Sequence, residues 1–175
     1  MNLEIRLLDA RLDRIDLFPR YATPEAAAID LRACSFNGVL LDGYEWTARI
    51  IRPGERIKIG TGIALDLGSH GDENQHVAGL ILPRSGLGAF GITLGNAPGL
   101  LDADYQGEIT LGLWNSGENE YVLRPLDRLA QLLFVPILRP QLSFVPILRP
   151  QLSVVSAFSR HTIRGDGGFG STGMA

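Results

Sequence analysis

The chain has 175 residues, of which 45% are hydrophobic and 20% are charged, and its formal net charge is −3. This length and apolar content are typical of one globular domain with a buried core, and they exclude a disordered protein. The slight acidity argues against a sequence-independent duplex binder, which would carry a basic surface, so we expect no nucleic-acid partner. The single cysteine, Cys34, excludes an internal disulfide and a cysteine-based zinc site.

No targeting or membrane signal is visible in the sequence. The first seven residues, MNLEIRL, lack the charged and then apolar pattern of a signal peptide. No apolar run reaches the length of about 20 residues that a membrane-spanning helix needs. We therefore expect a cytoplasmic protein without a membrane partner.

Strand-like alternation begins at the start of the chain and recurs along it. Apolar residues occupy alternate positions in residues 3–7, 57–67 and 109–113, and turn dipeptides such as Pro53-Gly54 separate the runs. Helical periodicity is weak, and we expect at most one or two helical turns in residues 85–90. Short strands at this spacing predict an all-β fold, namely a barrel, a sandwich or a jelly roll.

A perfect tandem repeat lies near the end of the predicted β-domain. The decapeptide FVPILRPQLS occupies residues 134–143 and recurs unchanged at 144–153. Ten is an even number, so skipping one copy keeps every later side chain on its original face. Two prolines per copy disfavour a second central strand, and we expect one copy to occupy the strand. The sequence leaves open a recent duplication or an error in the recorded sequence.

Two polar segments precede the middle of the chain. In AAAIDLRA, residues 26–33, alternation directs the carboxylate of Asp30 away from the face that carries Ile29 and Leu31. In PRSGLG, residues 83–88, a strand ends in a guanidinium, a hydroxyl and bare amides, which together suit anion binding. An exposed strand aspartate and an ordinary strand-end turn are the structural alternatives.

A longer polar segment, LGNAPGLLDADYQGE at residues 94–108, lies between two predicted strands. It indicates a β-hairpin with its tip near residues 102–104, in which Asn96 and Thr110 lie roughly opposite each other. A slot between the arms offers main-chain donors and acceptors to a flat base, and the amide of Asn96 matches either kind of edge. A solvent-exposed turn has the same residue types and stays an alternative.

Side chains suited to chemistry occur in this segment and in the next one. Asp102 and Asp104 are candidates for a base that activates water, and Tyr105 is placed to pack under a sugar. Gln131 stands between apolar residues in the segment PLDRLAQLL, residues 125–133. The Asp-Arg pair of that segment is more often structural than catalytic.

Glycine dominates the C-terminal run RGDGGFGSTG, residues 164–173. The run supplies free amides, the cation of Arg164, the hydroxyls of Ser171 and Thr172, and the ring of Phe169. These are the groups that bind a polyphosphate and stack on a base. We expect a single β-domain in residues 1–160, followed by a mobile arm, residues 161–175, that orders over a nucleotide. A disordered tail is the alternative.

These five segments, in this order, resemble the five motifs of the trimeric deoxyuridine triphosphatases (dUTPases), most closely those of the bacterial form. The likeness extends from about residue 20 to residue 173, and five ordered motifs are far more specific than one. It implies a distorted jelly-roll-like β-barrel or sandwich and a homotrimer with its active sites between subunits. It further implies Mg²⁺-dependent hydrolysis of dUTP to dUMP and pyrophosphate, which limits uracil in DNA and supplies dUMP for thymidylate synthesis.

The resemblance also implies a role for each matching residue. Asp102 activates the attacking water and touches the 3′-hydroxyl, and Gln131 helps to place that water at the α-phosphate. Tyr105 excludes a ribose 2′-hydroxyl, and Asp30 holds metal-bound waters. The implied phosphate contacts are Arg84, Ser85 and Gly86, and Ser85 is also implied to be catalytic. The implied uracil contacts are Asn96, Gly99, Leu100, Leu101 and Thr110. The implied contacts from the closing arm are Arg164, Phe169, Gly170, Ser171 and Thr172.

One connection departs from the pattern of the family. Residues 86–91 are one residue shorter than the corresponding connection of the family and lack its usual basic residue.

Two other functions stay open for this sequence. A dCTP deaminase on the same fold needs one more proton-transferring carboxylate near the base, for which Glu108 is the candidate. A non-catalytic nucleotide-binding trimer is the other open function, and the presence of Asp102, Tyr105 and the arm argues against it.

Deletion of residues 144–153 is expected to preserve the fold and to maintain or raise turnover at low dUTP concentration. The second repeat copy lies between the fourth and fifth motifs, so its extra length lowers the effective concentration of the arm at the site. Pyrophosphate release below KM, compared for the full-length and shortened proteins, checks this. An inactive deletion variant would show that the second copy is integral to the fold.

Overall fold

The computed structural model describes residues 3–40, 48–68 and 76–140. The second repeat copy and residues 161–175 lie outside this range, so the domain boundary at residue 160 and the mobile arm stay predictions. No helix within the described residues is long and apolar enough to cross a bilayer. These residues form a 3-10 helix at Ala10–Asp13, a short helix α1 at Ser85–Gly88 and the following strands: β1 Glu4–Leu7, β2 Ile29–Arg32, β3 Ser35–Phe36, β4 Val39–Leu40, β5 Arg49–Ile51, β6 Arg56–Gly60, β7 Ile63–Asp66, β8 His76–Pro83, β9 Ile92–Leu94, β10 Gly99–Leu101, β11 Thr110–Asn115, β12 Tyr121–Leu123 and β13 Arg128–Ile137.

The strands form two larger antiparallel sheets and two strand pairs. One sheet has four strands in the order β10-β8-β13-β2, and the other has five in the order β4-β3-β6-β11-β9. The pairs are β1 with β7 and β12 with β5. The prediction of an all-β fold is confirmed, and so is the short helix near residue 85.

The core follows from the alternation of apolar residues in the sequence. On β2, Ile29 and Leu31 are buried while Asp30 is half-buried on the other face, as alternation predicts. Ile59 of the five-stranded sheet and Leu132 of the four-stranded sheet are each 0% exposed and belong to the same buried cluster. The two sheets therefore share one core, and burial of their apolar faces is the main driving force for this arrangement.

The alternation in residues 57–67 does not form one strand. It is divided between β6, in the five-stranded sheet, and β7, which pairs with β1. The break lies at Gly62, whose φ is +69°. A Cβ there would lie 2.8 Å from Cβ of Asp9 and 2.9 Å from Sγ of Cys34, so the turn requires a residue without a side chain.

The first repeat copy supplies the end of β13, as expected for one copy. Here Val135 pairs with Ala78 and Pro136 with Val77 of β8, whereas pairing of β13 with β2 ends at Leu132. Beyond Leu132 this side of β13 has no neighbour among the described strands. An unpaired strand side is where a proline, which has no N–H to donate, is tolerated.

A buried ion pair fixes the segment after β1 to the core. Asp9 is 4% exposed and accepts hydrogen bonds from the backbone N of Arg11 at 3.0 Å and from its Nε at 2.9 Å. Arg11 also donates from Nη2 to the carbonyl oxygen of Cys34 at 3.1 Å. Burial alone would raise the pKa of Asp9, but the hydrogen bonds and charge of Arg11 outweigh it and hold that pKa below its ordinary value. Burial, reinforced by the Asp9 charge, raises the pKa of Cys34 to about 12.

Replacement of this carboxylate, Asp9→Asn, is expected to lower the free energy of unfolding by about 2–3 kcal/mol at pH 7, because Arg11 loses its buried partner. The pKa of Asp9 is lowered on folding, so its stabilisation is complete above the ordinary value of 3.8 and is lost as the pH falls below it. Urea unfolding of both proteins at pH 7 and pH 3 measures the difference, which should narrow at pH 3. A difference that is equal at both pH values contradicts this account.

Candidate active site

A cavity of about 200 Å³ lies where β10 leaves the four-stranded sheet. Ile81 and Ile109, which are 8% and 2% exposed, form its apolar part. Its other lining residues are all ones that the sequence predicts to bind substrate: Asn96, Gly99, Leu100, Leu101, Asp102, Tyr105 and Thr110. The structure thus brings together the predicted base and sugar contacts that fall within the described residues, whereas Phe169, which is predicted to cover the uracil, lies outside them.

The main chain of β10 lies close against β8 in this cavity. Gly99 pairs with Ile81, and a Cβ on Gly99 would lie 3.2 Å from Cβ of Ile81. Beyond Leu101 the chain turns, and the amide of Tyr105 donates to the carbonyl oxygen of Asp102 at 3.2 Å. The tip therefore lies where the sequence predicts it.

The predicted pairing of the two hairpin arms is wrong. Within the described strands β10 hydrogen-bonds only to β8, while β11 hydrogen-bonds to β6 and β9. Asn96 lies two residues after the end of β9, and the amide of the intervening Gly95 donates to the carbonyl oxygen of Gly112 at 2.7 Å, which brings Asn96 near Thr110. The cavity therefore lies between the edges of two sheets. The cause is the long-range partner β8, where Gly79 leaves space for Leu101.

Tyr105 is held at the rim of the cavity. Its hydroxyl donates to the carbonyl oxygen of Glu108 at 2.9 Å, and its side chain closes over Gly107. Tyr105 is nevertheless 46% exposed, and Asp102 beside it is exposed too. One face of the ring is thus free to contact a sugar while its hydroxyl is engaged.

A second group of predicted residues surrounds the carboxylate of Asp30. On paired strands, Asp30 of β2 lies opposite Gln131 of β13. Oδ1 of Asp30 lies 3.0 Å from Nε of Arg84, and Oδ2 accepts a hydrogen bond from Nη1 of Arg128 at 3.2 Å. Sequence reasoning missed Arg128, because an Asp-Arg pair in a strand is more often structural; its place in the fourth motif was the available signal.

A constrained turn before β13 positions Arg128. Leu126 has a φ of +65°, which is rare for a residue with a side chain. Its amide donates to the carbonyl oxygen of Ala33 at 2.7 Å, and its own carbonyl oxygen accepts from Nη1 of Arg32 at 3.0 Å. The amide of Ala33 in turn donates to the carbonyl oxygen of Asp127. Burial, followed by the nearby charge of Arg128, lowers the pKa of Arg32.

The predicted phosphate contacts lie at the start of α1. Ser85 and Gly86 are exposed there, and the first residues of a helix have amides without an intrahelical partner. A Cβ at Gly86 would have no neighbour within 4 Å, so this side is open to a ligand. The connection that follows carries Phe90, which is 76% exposed.

The two groups of residues lie apart within one chain. On opposite sides of β8, Leu101 pairs with Gly79 and Gln131 pairs with Leu82. These pairings separate Leu101 from Gln131 by about 10 Å along β8 and about 10 Å across it, so the Cα atoms of Leu101 and Gln131 are about 14 Å apart. Asp102 is one residue further from Gln131. One water molecule cannot contact both side chains of the same chain.

The surroundings of Asp30 fit a role toward a hydrated metal ion. Among the described residues, no group of three or more His, Cys, Asp or Glu side chains could hold a metal ion. Oδ1 of Asp30 is buried and accepts no hydrogen bond from the described residues, because Nε of Arg84 is close but poorly aligned. That oxygen therefore retains the capacity to accept a hydrogen bond from a metal-bound water, which is how Mg²⁺ with few protein ligands is commonly held.

A larger groove, of about 670 Å³, adjoins the cavity and shares Asn96 and Thr110 with it. It runs along the outer face of the five-stranded sheet, where Lys58 lines it. The guanidinium of Arg56 lies 4.8 Å from the ring centre of Trp114. The groove is thus a cationic surface next to the cavity, and none of its other side chains was predicted to act in the site.

Sequence comparison identifies the family. The family model for dUTPase matches residues 17–173. The deoxyuridine 5′-triphosphate nucleotidohydrolase of Burkholderia lata is 44% identical over 174 residues, which cover 99% of both chains. The same-named protein of Methylobacillus flagellatus is 40% identical over 99% of this chain and 97% of its own. These relatives place the chain in the class of nucleotidohydrolases. Within that class it belongs to the dUTPase family.

Solved structures show the same fold. A mutant dUTPase of phage phi11 of S. aureus matches with a TM-score of 0.63 and 21% identity, over 85% of this chain and 99% of that chain. The dUTPase of Staphylococcus bacteriophage 80alpha matches with a TM-score of 0.62 and 20% identity, over the same shares. The predicted jelly-roll-like β fold is confirmed.

Proposed function

We propose that the protein hydrolyses dUTP to dUMP and pyrophosphate by attack of water on the α-phosphorus. The observation that carries the proposal is the cavity, in which seven residues matched to the family's base and sugar contacts line about 200 Å³. Membership of the family supports the choice of substrate. In the cytoplasm, this reaction would limit uracil in DNA and supply dUMP.

Main-chain atoms of β10 recognise the base in this proposal. Among the described strands, β10 is an edge strand with one neighbour, so its other side has N–H and C=O groups free to bind uracil as a further strand would. Asn96 adds a side-chain amide that donates and accepts. A close fit of the cavity to uracil would exclude the methyl group of thymine sterically, and cytosine presents the wrong donors and acceptors, which is the stronger filter.

Asp102 of one subunit and Gln131 of another act on the attacking water. The carboxylate of Asp102 accepts a proton from the water as its oxygen bonds to the α-phosphorus, and the bond to the leaving pyrophosphate breaks. The amide of Gln131 orients the water. Arg84 and Ser85, with the exposed amides at the start of α1, bind the phosphate oxygens on which charge develops.

Mg²⁺ fits this arrangement as a cofactor of the substrate. Its water ligands would be held by the carboxylate of Asp30, whose Oδ1 accepts no hydrogen bond from the described residues, and its other ligands would be phosphate oxygens. When bound, Mg²⁺ neutralises charge on the triphosphate and helps to orient it. Among the structural relatives, a dUTPase of phage phi11 coordinates a structural Mg(II) ion.

The separation of the two residue groups supports a site shared between subunits. The cavity contributes Asp102 and Tyr105, and the cluster about 14 Å away contributes Asp30 and Gln131. A second copy that brings its cluster to the cavity of the first would complete the site. Such a contact joins two different surfaces, and three copies can close it into a ring. A homotrimer with dUTP bound between subunits is therefore the assembly that we propose.

The deaminase alternative loses support from the place of Glu108. The Oε1 atom of Glu108 accepts a hydrogen bond from the amide of Gly62 at 2.8 Å, and Glu108 is not among the residues that line the cavity. A carboxylate engaged in this way is poorly placed to transfer protons to a base. Incubation with dCTP and a test for ammonia would detect that activity.

The substitution Asp102→Asn is expected to retain nucleotide binding and to lower kcat by about 10²–10⁴-fold, because general-base positioning is lost while the shape of the site is kept. Pyrophosphate release from dUTP, dCTP, dTTP and UTP with Mg²⁺, measured side by side, gives the rate and the specificity of both proteins. Wild-type protein that leaves dUTP intact would refute the proposed function, and near-normal turnover by the variant would refute the role of Asp102.

A mixture of two inactive variants is expected to regain activity if the site is shared. Asp102→Asn disables the cavity and Gln131→Ala disables the cluster, so in each mixed trimer about one of the three pairings carries neither substitution. Co-expression with two affinity tags, followed by sequential purification, isolates the mixed trimers for the pyrophosphate assay. Mixed trimers no more active than either parent would show that each site is built from one chain.

A further inference from the structure

We infer that Glu108 is a positioning residue: it holds Tyr105 at the sugar side of the cavity and so contributes to the discrimination between deoxyribose and ribose. The inference rests on the proposed function, because it assigns a role in that site. It concerns the residue set aside above as a proton-transferring candidate.

Tyr105 is attached to the main chain of Glu108. The phenol hydroxyl donates to the carbonyl oxygen of Glu108 at 2.9 Å, which closes a short loop from residue 105 to residue 108. Gly107 lies inside this loop, where a Cβ would be 2.7 Å from the hydroxyl oxygen and 2.8 Å from Cζ of Tyr105. The ring therefore has little freedom on its inner side and depends on the carbonyl of Glu108 for its orientation.

The side chain of Glu108 is anchored in a niche at the end of β6. Its Oε1 atom accepts from the amide of Gly62 at 2.8 Å. Gly60 forms the wall of the niche, because a Cβ there would overlap Oε1 of Glu108 and Oγ of Ser35. Two glycines thus leave the space and the donor that a carboxylate needs, and a charged acceptor makes this hydrogen bond stronger than a neutral one.

The next residue fixes the carbonyl of Glu108 from the other side. The amide of Ile109 donates to the carbonyl oxygen of Ile63 at 2.9 Å. The carbonyl oxygen of Ile109 accepts from the amide of Thr61 at 3.0 Å and from its Oγ1 at 2.7 Å. Ile109 and Thr61 are 2% and 1% exposed. The acceptor of the Tyr105 hydroxyl is therefore placed between two anchored points.

This chain of contacts matters for specificity because Tyr105 has little other support. It is 46% exposed, so packing alone leaves its ring free to move. Discrimination against one extra hydroxyl is only modest in a site whose walls can yield. Loss of the anchor at Glu108 would let the ring withdraw and admit a 2′-hydroxyl, which changes the dUTP-to-UTP ratio of kcat/KM.

The test is that ratio, measured with the full-length protein and Mg²⁺. Glu108→Ala is expected to lower the preference for dUTP over UTP by about five- to tenfold, which is the scale of one ordinary net hydrogen bond. Glu108→Gln keeps an acceptor oxygen and should stay within about twofold of wild type. Gln106→Ala is the matched control, since it removes an exposed contact to Asp66 Oδ2 in the same loop and should leave the ratio unchanged.

General destabilisation does not mimic this result, because a smaller active fraction lowers both rates equally and leaves the ratio constant. Gly107→Ala provides an independent route, since its new methyl group displaces the ring of Tyr105 without touching the carboxylate of Glu108. It should lower the ratio as well. An unchanged ratio in Glu108→Ala overturns the inference about Glu108, whatever the result for Gly107→Ala, and leaves the proposed function intact. Wild-type protein inactive on dUTP overturns the proposed function as well.

Discussion

The hydrogen-bonded register of β8 is the constraint on which the rest of the structure depends. β10 pairs with one side of this strand and β13 with the other, each by antiparallel main-chain bonds. A shift of one residue in either pairing would turn Leu101 or Leu132 out of the core, so burial fixes the register. The same register places the cavity and the Asp30 cluster at different positions along the sheet. Within one chain the fold thereby keeps these two groups of residues apart, which is the basis of the shared site that we propose.

Glycines at four positions allow close packing around the cavity and around Glu108. At Gly99 the absence of a side chain lets β10 lie against Ile81, and at Gly107 it lets the ring of Tyr105 close over the loop. Gly60 and Gly62 do the same for the carboxylate of Glu108. Each of these positions costs conformational entropy on folding, and the surrounding buried sheets offset that cost. Close packing in the core and around the cavity therefore depends on the same pattern of small and large residues.

Much of the fold and of the site could be predicted from the sequence, because both depend on local patterns. Alternation gave the strands and the outward direction of Asp30, and the ordered motifs gave the residues that line the cavity. What could not be predicted depends on contacts distant in sequence. The pairing of β10 with β8 is of this kind, and so is the division of residues 57–67 at Gly62, where the limiting neighbours are Asp9 and Cys34. Arg128 was missed because its partner Asp30 lies 98 positions away along the chain.

The open side of β10 also affects how this surface can change during evolution. Leu100 is 65% exposed, so its side chain is free to vary, yet the N–H and C=O groups that we propose to bind the base are common to nearly all amino acids. Point substitutions here would change the side chains of the strand but not the main-chain groups on its edge. Proline is the exception because it lacks the N–H donor. An inhibitor that forms the same hydrogen bonds as the base would therefore bind main-chain groups that few point mutations can remove.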